Sequence, residues 1–136
     1  MIERTDYFLF TRMNGLWQNH FADIPRKNSI LISFGRKAKT RLGSITYDRD
    51  RNESNISING MLQLPVIPEV VIDATIAHEL IHYIHGFSSS LERKFSHPHK
   101  GGIILREMKA RKLYVLNLES KRWLKANWRA VIADHY

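Results

Sequence analysis

The sequence of 136 residues contains no cysteine. This absence excludes disulfide bonds, a thiol nucleophile and every zinc site whose ligands are cysteine sulfurs. Any metal site in the chain must therefore use histidine and carboxylate side chains. Long apolar runs are missing too, since no stretch of about 18 consecutive apolar residues occurs. The sequence thus predicts that no segment spans a membrane.

The N-terminus also lacks the features of a secretory signal. It mixes charged and polar side chains from Glu3 onward, with no long apolar stretch and no small-residue cleavage site. We therefore expect a cytoplasmic protein without membrane contact. The length and the hydrophobic fraction of 43% predict a single domain over residues 1–136 with one hydrophobic core.

Acidic residues are few relative to basic ones. The chain has 21 Lys and Arg against 13 Asp and Glu, which gives a formal net charge of +8. Clustered positive charge predicts weak, non-specific contact with DNA or another polyanion, and a solvated basic surface is the alternative interpretation. The clusters are Arg36, Lys37, Lys39 and Arg41, then Arg106, Lys109, Arg111 and Lys112, and further on Lys121, Arg122, Lys125 and Arg129.

Hydrophobic periodicity predicts an α+β fold, with short strands grouped early in the chain and helices around them. The strict alternation over residues 55–59 is typical of a half-buried antiparallel strand. We predict a small three-stranded antiparallel sheet packed against the helix that carries the motif described next. The predicted helices span residues 4–22, 69–85, 101–113 and 120–133, and the predicted strands span residues 29–34, 42–47 and 55–59.

The decisive motif is His-Glu-Leu-Ile-His over residues 78–82, inside the predicted amphipathic helix. Positions four apart lie on one helix face, so His78 and His82 can present imidazole nitrogens to one ion at about 2.0–2.1 Å. Glu79 reaches the water position rather than the metal, and its carboxylate can act there as general base. The motif therefore predicts a Zn²⁺-dependent metalloendopeptidase that hydrolyses peptide bonds with a metal-activated water.

A catalytic zinc site needs a third protein ligand and keeps a fourth position open. The candidates downstream of the motif are His97, His99 and Glu107. Glu107 begins a Glu-x-x-Ala step like that of glutamate-type zincins, although an i,i+4 ion pair with Arg111 would explain it equally well. His85 lies too far along the helix axis to share the ion, and we predict it at the surface or next to the ligands.

Over about Leu16 to Met108 the chain resembles the SprT/Spartan metallopeptidase family. The resemblance rests on Leu42-Gly43 between two strands, on Ile56–Asn59, and on Ile76–Tyr83 with the motif inside it. In that family the third ligand is a histidine that opens a His-Gly-x-x-aromatic segment, and the similar stretch here is His99-Lys100-Gly101-Gly102-Ile103.

The resemblance implies a zincin-like fold with His99 as the third zinc ligand. It also implies protein substrates near DNA or crosslinked to it, as in DNA–protein crosslink repair, cleaved with little sequence preference. The zinc ribbon that is frequent in the family cannot form here, because the chain has no cysteine.

Two other functions fit the same residues. A glutamate-type zincin of narrow specificity is the first, and it would use Glu107 as its ligand. The second is a basic DNA-binding module with structural zinc, which would close a four-ligand site by using both His97 and His99.

Overall fold

The computed structural model describes residues 3–136, and within them it confirms the predicted α+β class. Four α-helices accompany one small sheet, with short 3₁₀ turns at Gly60–Gln63 and Lys100–Gly102. None of the helices in residues 3–136 is both long enough and apolar enough to cross a membrane. The elements are α1 (Asp6–His20), β1 (Ser29–Phe34), β2 (Gly43–Asp48), β3 (Glu53–Ile58), α2 (Glu69–Ile84), α3 (Ile103–Ala110) and α4 (Tyr114–His135).

The sheet has three strands in the order β1-β3-β2, so β3 lies in the centre. β2 pairs with β3 in antiparallel fashion, whereas β1 pairs with β3 in parallel, with Ile32 opposite Ile56. The sheet is therefore mixed, and the prediction of an antiparallel sheet is wrong for the β1–β3 pair. The tight turn after β2 forces β3 to run against β2, and that direction is also the direction of β1.

The helices cover one face of this sheet. Along β3, Ser54, Ile56 and Ile58 are buried while the residues between them are partly exposed, as the period of two in a strand requires. α1 and α2 pack on the buried face and supply the largest share of the single core. Their fully buried apolar side chains include Leu9, Met13, Ile72, Ile76 and Leu80.

α4 begins at Tyr114, well before the predicted start at residue 120. The break from α3 is made by Lys112 in the left-handed region (φ 62°) and by the Leu113 amide, which donates to the Met108 carbonyl at 2.8 Å. Neither proline nor glycine marks this break, so the sequence gives no signal for it. Trp123 and Trp128 pack partly buried against the core, and the Trp128 indole donates to the Lys39 carbonyl at 2.6 Å.

The side chain of Asn59 holds the basic loop between β1 and β2 in place. Its buried amide donates to the carbonyls of Ala38 and Arg41 at 2.8 and 2.9 Å, and its oxygen accepts from the Ala38 amide at 3.1 Å. These bonds satisfy loop carbonyls that no strand partner reaches. The loop therefore has a defined path, and that path carries Arg41 and Leu42 to the site described below.

Candidate metal centre

The helix α2 carries the motif and is held firmly at both ends. Pro68 precedes its first residue, and Arg12 of α1 bonds Glu69 at 2.9 Å and Asp73 through two contacts of 2.9 and 2.6 Å. At the other end, the Phe87 amide donates to the carbonyl of His82 at 2.9 Å. Fixed ends and a buried apolar stripe keep the motif residues in one orientation.

Three imidazoles converge on one point beside α2. Nε2 of His78 lies 3.1 Å from Nε2 of His82 and 3.3 Å from Nε2 of His99. One nitrogen from each of the three residues lies within 4.8 Å of the other two. His82 is buried, His78 is half-buried and His99 is exposed, so the point of convergence opens toward solvent on the His99 side.

His99 reaches this point from outside α2. It precedes the 3₁₀ turn Lys100–Gly102, in which Gly101 and Gly102 adopt φ of 72° and 68°. Two successive left-handed residues reverse the chain sharply, and only glycine adopts this conformation without strain. The glycine pair that carries the family resemblance is thus the turn that joins His99 to α3.

The geometry fits a tetrahedral ion. Ligands placed tetrahedrally at about 2.0–2.1 Å from zinc lie about 3.3–3.4 Å from one another, and the separations of 3.1 and 3.3 Å approach this value. Burial lowers the pKa of His78 to about 4 and that of His82 to about 3, with smaller effects from neighbouring positive charge. Both imidazoles are therefore neutral at pH 7, the form that binds a metal.

Glu79 lies beside the three imidazoles with its carboxylate buried. Only 4% of the residue is exposed, and its Oε2 atom has no hydrogen-bond partner. Burial raises the pKa of Glu79 to about 7, against the opposing positive charge of Arg41. Burying a carboxylate without a hydrogen-bond partner costs folding free energy. The Glu79 carboxylate is therefore available to bind a group that the protein itself does not provide.

Gly43, the first residue of β2, allows this close packing around Glu79. A Cβ atom at position 43 would lie 2.8 Å from Cγ2 of Thr75 and 3.6 Å from Cγ of Glu79. Any side chain there would push α2 and β2 apart. The Leu42-Gly43 pair noted in the sequence therefore brings the edge strand directly against the motif helix.

The other candidate residues lie elsewhere. His97 is exposed and does not belong to the three-histidine cluster. Oε2 of Glu107 accepts from Arg111 Nε at 2.9 Å, the ion pair considered from the sequence. Oε1 of Glu107 lies 2.7 Å from Nε2 of His85, which is 1% exposed. His85 does not share the cluster, as predicted. Of the two environments predicted for it, at the surface or next to the ligands, the surface is wrong because the residue is buried.

Two clefts meet at the cluster and share Gly43, His78 and Glu79 as walls. The cleft on the side of His99 has a volume of about 350 Å³ and includes Arg41 and His82. The cleft on the side of α4 has a volume of about 250 Å³. The two clefts therefore adjoin each other at His78 and Glu79.

Sequence reasoning missed the contribution of α4 to this site. Residues 117, 120, 121 and 124 line the second cleft, and this spacing of three, four and seven places them on one helix face. The spacing was available in the sequence, but residue 117 fell before the predicted start of the helix. The α4 residues concerned are Asn117, Ser120, Lys121 and Leu124.

Comparison of the chain with protein-family models, with curated proteins and with solved structures gave no match.

Proposed function

We propose that this protein is a zinc-dependent metallopeptidase of the SprT/Spartan type, with His78, His82 and His99 as metal ligands and Glu79 as general base. The observation that carries the proposal is the buried, unpartnered carboxylate of Glu79 next to three convergent imidazoles. A structural metal site would gain nothing from such a carboxylate, whereas a hydrolytic site requires one.

The chemistry divides between the metal and Glu79. Zinc bound at the three imidazoles would polarise the scissile carbonyl and lower the pKa of water at its open position toward about 7. Glu79 takes the proton of the attacking water on its carboxylate and delivers it to the leaving amine. The carboxylate lies in the same cleft lining as His78, His82 and His99, which places it within reach of a water bound at the open position.

An extended peptide is the substrate that the clefts fit best. β2 is an edge strand, and its residues Gly43, Ser44 and Ile45 line the cleft on the side of His99. A free strand edge offers backbone donors and acceptors to an added strand, independent of the sequence of the added chain. On this edge Ser88 already donates to the Ile45 carbonyl at 3.2 Å, which limits the free stretch to the part near Glu79.

DNA-associated or DNA-crosslinked proteins are the substrates that we propose, because of the family resemblance and the positive charge. The cluster of Arg36, Lys37, Lys39 and Arg41 lies on the loop that leads into the site. A basic surface at this position would hold DNA near the cleft and raise the local concentration of proteins bound to it.

Hydrolysis of casein by zinc-loaded and chelator-treated protein tests the proposal. We expect cleavage that disappears with the chelator and returns with zinc. The variant Glu79→Gln should keep its zinc and lose activity by about 10²–10⁴-fold, since only the base is removed. Glu119→Gln on the exposed side of α4 is the matched control and should behave as the wild type. Equal rates for Glu79→Gln and wild type would contradict the proposal.

A further inference from the structure

The cleft between α2 and α4 has one polar wall, on the side of α4. The polar residues Asn117, Ser120 and Lys121 lie on one helix face above Glu79. The opposite wall is mostly apolar and comes from Leu42 and Ala74, with Leu124 at the edge of the polar wall. The cleft therefore has an apolar wall and a polar wall, and His78 and Glu79 of the motif line it as well.

The polar wall has no partners within the protein. Further along α4 the Asn127 amide donates to the Trp123 carbonyl at 2.9 Å. By contrast, within residues 3–136 the side chains of Asn117, Ser120 and Lys121 make no hydrogen bond or ion pair. Ser120 is 4% exposed, Asn117 is partly buried and Lys121 is exposed. The donor groups of all three side chains are therefore free to bind a group that enters the cleft.

The charge of the site determines which ligand these groups would bind. All three side chains can donate hydrogen bonds, and Lys121 carries a positive charge. Arg41 lines the neighbouring cleft, so positively charged side chains lie on both sides of the metal centre. Glu79 is the only acidic residue in either lining. Its proposed role as general base places its carboxylate at the scissile bond, so it does not pair with a substrate side chain. A carboxylate matches these donors, and a basic side chain would be repelled.

We propose that this cleft is a specificity pocket that receives a glutamate side chain of the substrate next to the scissile bond. The aliphatic stem of the glutamate lies against Leu42 and Leu124, and its carboxylate accepts from Lys121, Ser120 and Asn117. The inference rests on the proposed peptidase function, and it adds a preference at one substrate position. The other substrate positions vary freely, because strand addition recognises the backbone.

Peptide binding to zinc-loaded Glu79→Gln protein tests the pocket without turnover. Three fluorescein-labelled peptides of alanine and serine would differ only in one central residue, which is glutamate, glutamine or lysine. We expect fluorescence anisotropy to give the tightest binding for the glutamate peptide and the weakest for the lysine peptide. The difference between these two should be about tenfold or more, as for a charge-assisted hydrogen bond.

Charge reversal then locates the preference. In the Glu79→Gln background, Lys121→Glu should reverse the order of the glutamate and lysine peptides, and Ser120→Ala should weaken the glutamate peptide alone. Lys125→Glu is the matched control, because Lys125 is exposed on the same helix, lies outside the pocket lining and changes net charge equally. It should preserve the order. Zinc content and circular dichroism would establish that each variant is folded.

The outcomes separate the two proposals. Equal binding of the three peptides, no binding of any of them, or the same order in Lys121→Glu would overturn the pocket. Binding in the expected order without hydrolysis by the wild type would support the pocket and contradict the peptidase. Hydrolysis of all three peptides at equal rates would support the peptidase and overturn the pocket.

Discussion

Nε2 of His85 lies 2.7 Å from Oε1 of Glu107, and this contact joins the end of α2 to α3. The other carboxylate oxygen of Glu107 accepts from Arg111. Burial alone would raise the pKa of Glu107, but the hydrogen bond from His85 and the charge of Arg111 hold it below its usual value. Glu107 is therefore engaged away from the three-histidine cluster, which favours His99 over Glu107 as the third ligand.

The first prediction ranks the ligands by zinc affinity. His78→Ala, His82→Ala and His99→Ala should each weaken zinc binding strongly, because each removes one of the convergent nitrogens. His97→Ala and Glu107→Gln should retain most of the affinity. Competition with a chromophoric chelator measures all five. A larger loss of zinc affinity in His97→Ala than in His99→Ala would identify His97 as the third ligand. A loss of affinity in Glu107→Gln alone would favour a glutamate-type zincin.

The second prediction concerns the stability of the zinc-free protein against pH. The pKa of Glu79 is about 7 in the folded chain, above its ordinary value of 4.5. Between these values the folded state binds more protons, so the stability that Glu79 contributes is lost as the pH rises through about 7. Removing the charge by Glu79→Gln should therefore stabilise the zinc-free protein at pH 8, by an amount on the order of 2 kcal/mol.

His78 and His82 have the opposite effect on the pH dependence of stability. The pKa values of His78 and His82 are lowered to about 4 and about 3, so stability is lost as the pH falls below 6.5. Both proteins carry these histidines, and the difference between their urea unfolding free energies isolates Glu79. The difference should be large at pH 8 and shrink toward pH 4.5. A difference that stays constant across this range would contradict the assignment of a buried, uncompensated carboxylate.

The third prediction tests the turn that carries His99. Gly101→Ala and Gly102→Ala introduce no clash, since nothing lies within 4 Å of either Cβ position, but each strains a left-handed residue by about 1 kcal/mol. We expect zinc affinity to fall about fivefold in each variant. Gly15→Ala in α1 also has open space around its Cβ and should leave zinc affinity unchanged. Equal affinities in all three variants would show that the turn does not position His99.

The fourth prediction addresses DNA. We expect weak binding without sequence preference, and a log–log salt plot with a slope of about −0.7 to −0.9 for each phosphate contacted. Reversing Arg36, Lys37 and Lys39 to glutamate should abolish binding, and Arg41 is left unchanged because it lines the cleft. The control reverses the exposed residues Lys27, Arg49 and Arg51. Anisotropy with single- and double-stranded oligonucleotides measures both. Equal losses of DNA affinity in the two variants would show that binding depends on the net charge alone and not on the basic loop.

The sequence predicted α2 and its motif well because several local signals agree there. Pro68 and Glu69 mark its start and Gly86 its end, and an apolar stripe lies between them. The predicted helix over residues 69–85 accordingly matches Glu69–Ile84. The two motif histidines then follow from helix geometry alone, without any tertiary information.

Relations between distant segments could not be predicted in the same way. Alternation in β3 shows that one face is buried, but it does not say which strands lie on either side, and so the parallel β1–β3 pair was missed. The burial of His85 depends on Glu107 from another helix. The wall formed by Asn117, Ser120 and Lys121 depends on how α4 crosses α2, which no local pattern encodes.

A crystal structure of the zinc-loaded protein tests the central claim most directly, because it gives the ligands and the open position together. We predict one ion held by Nε2 of His78, His82 and His99 at about 2.0–2.1 Å, with the fourth position facing solvent and the Glu79 carboxylate. An ion whose fourth ligand is His97, with Glu79 turned away, would contradict the account and favour a structural zinc site in a DNA-binding module.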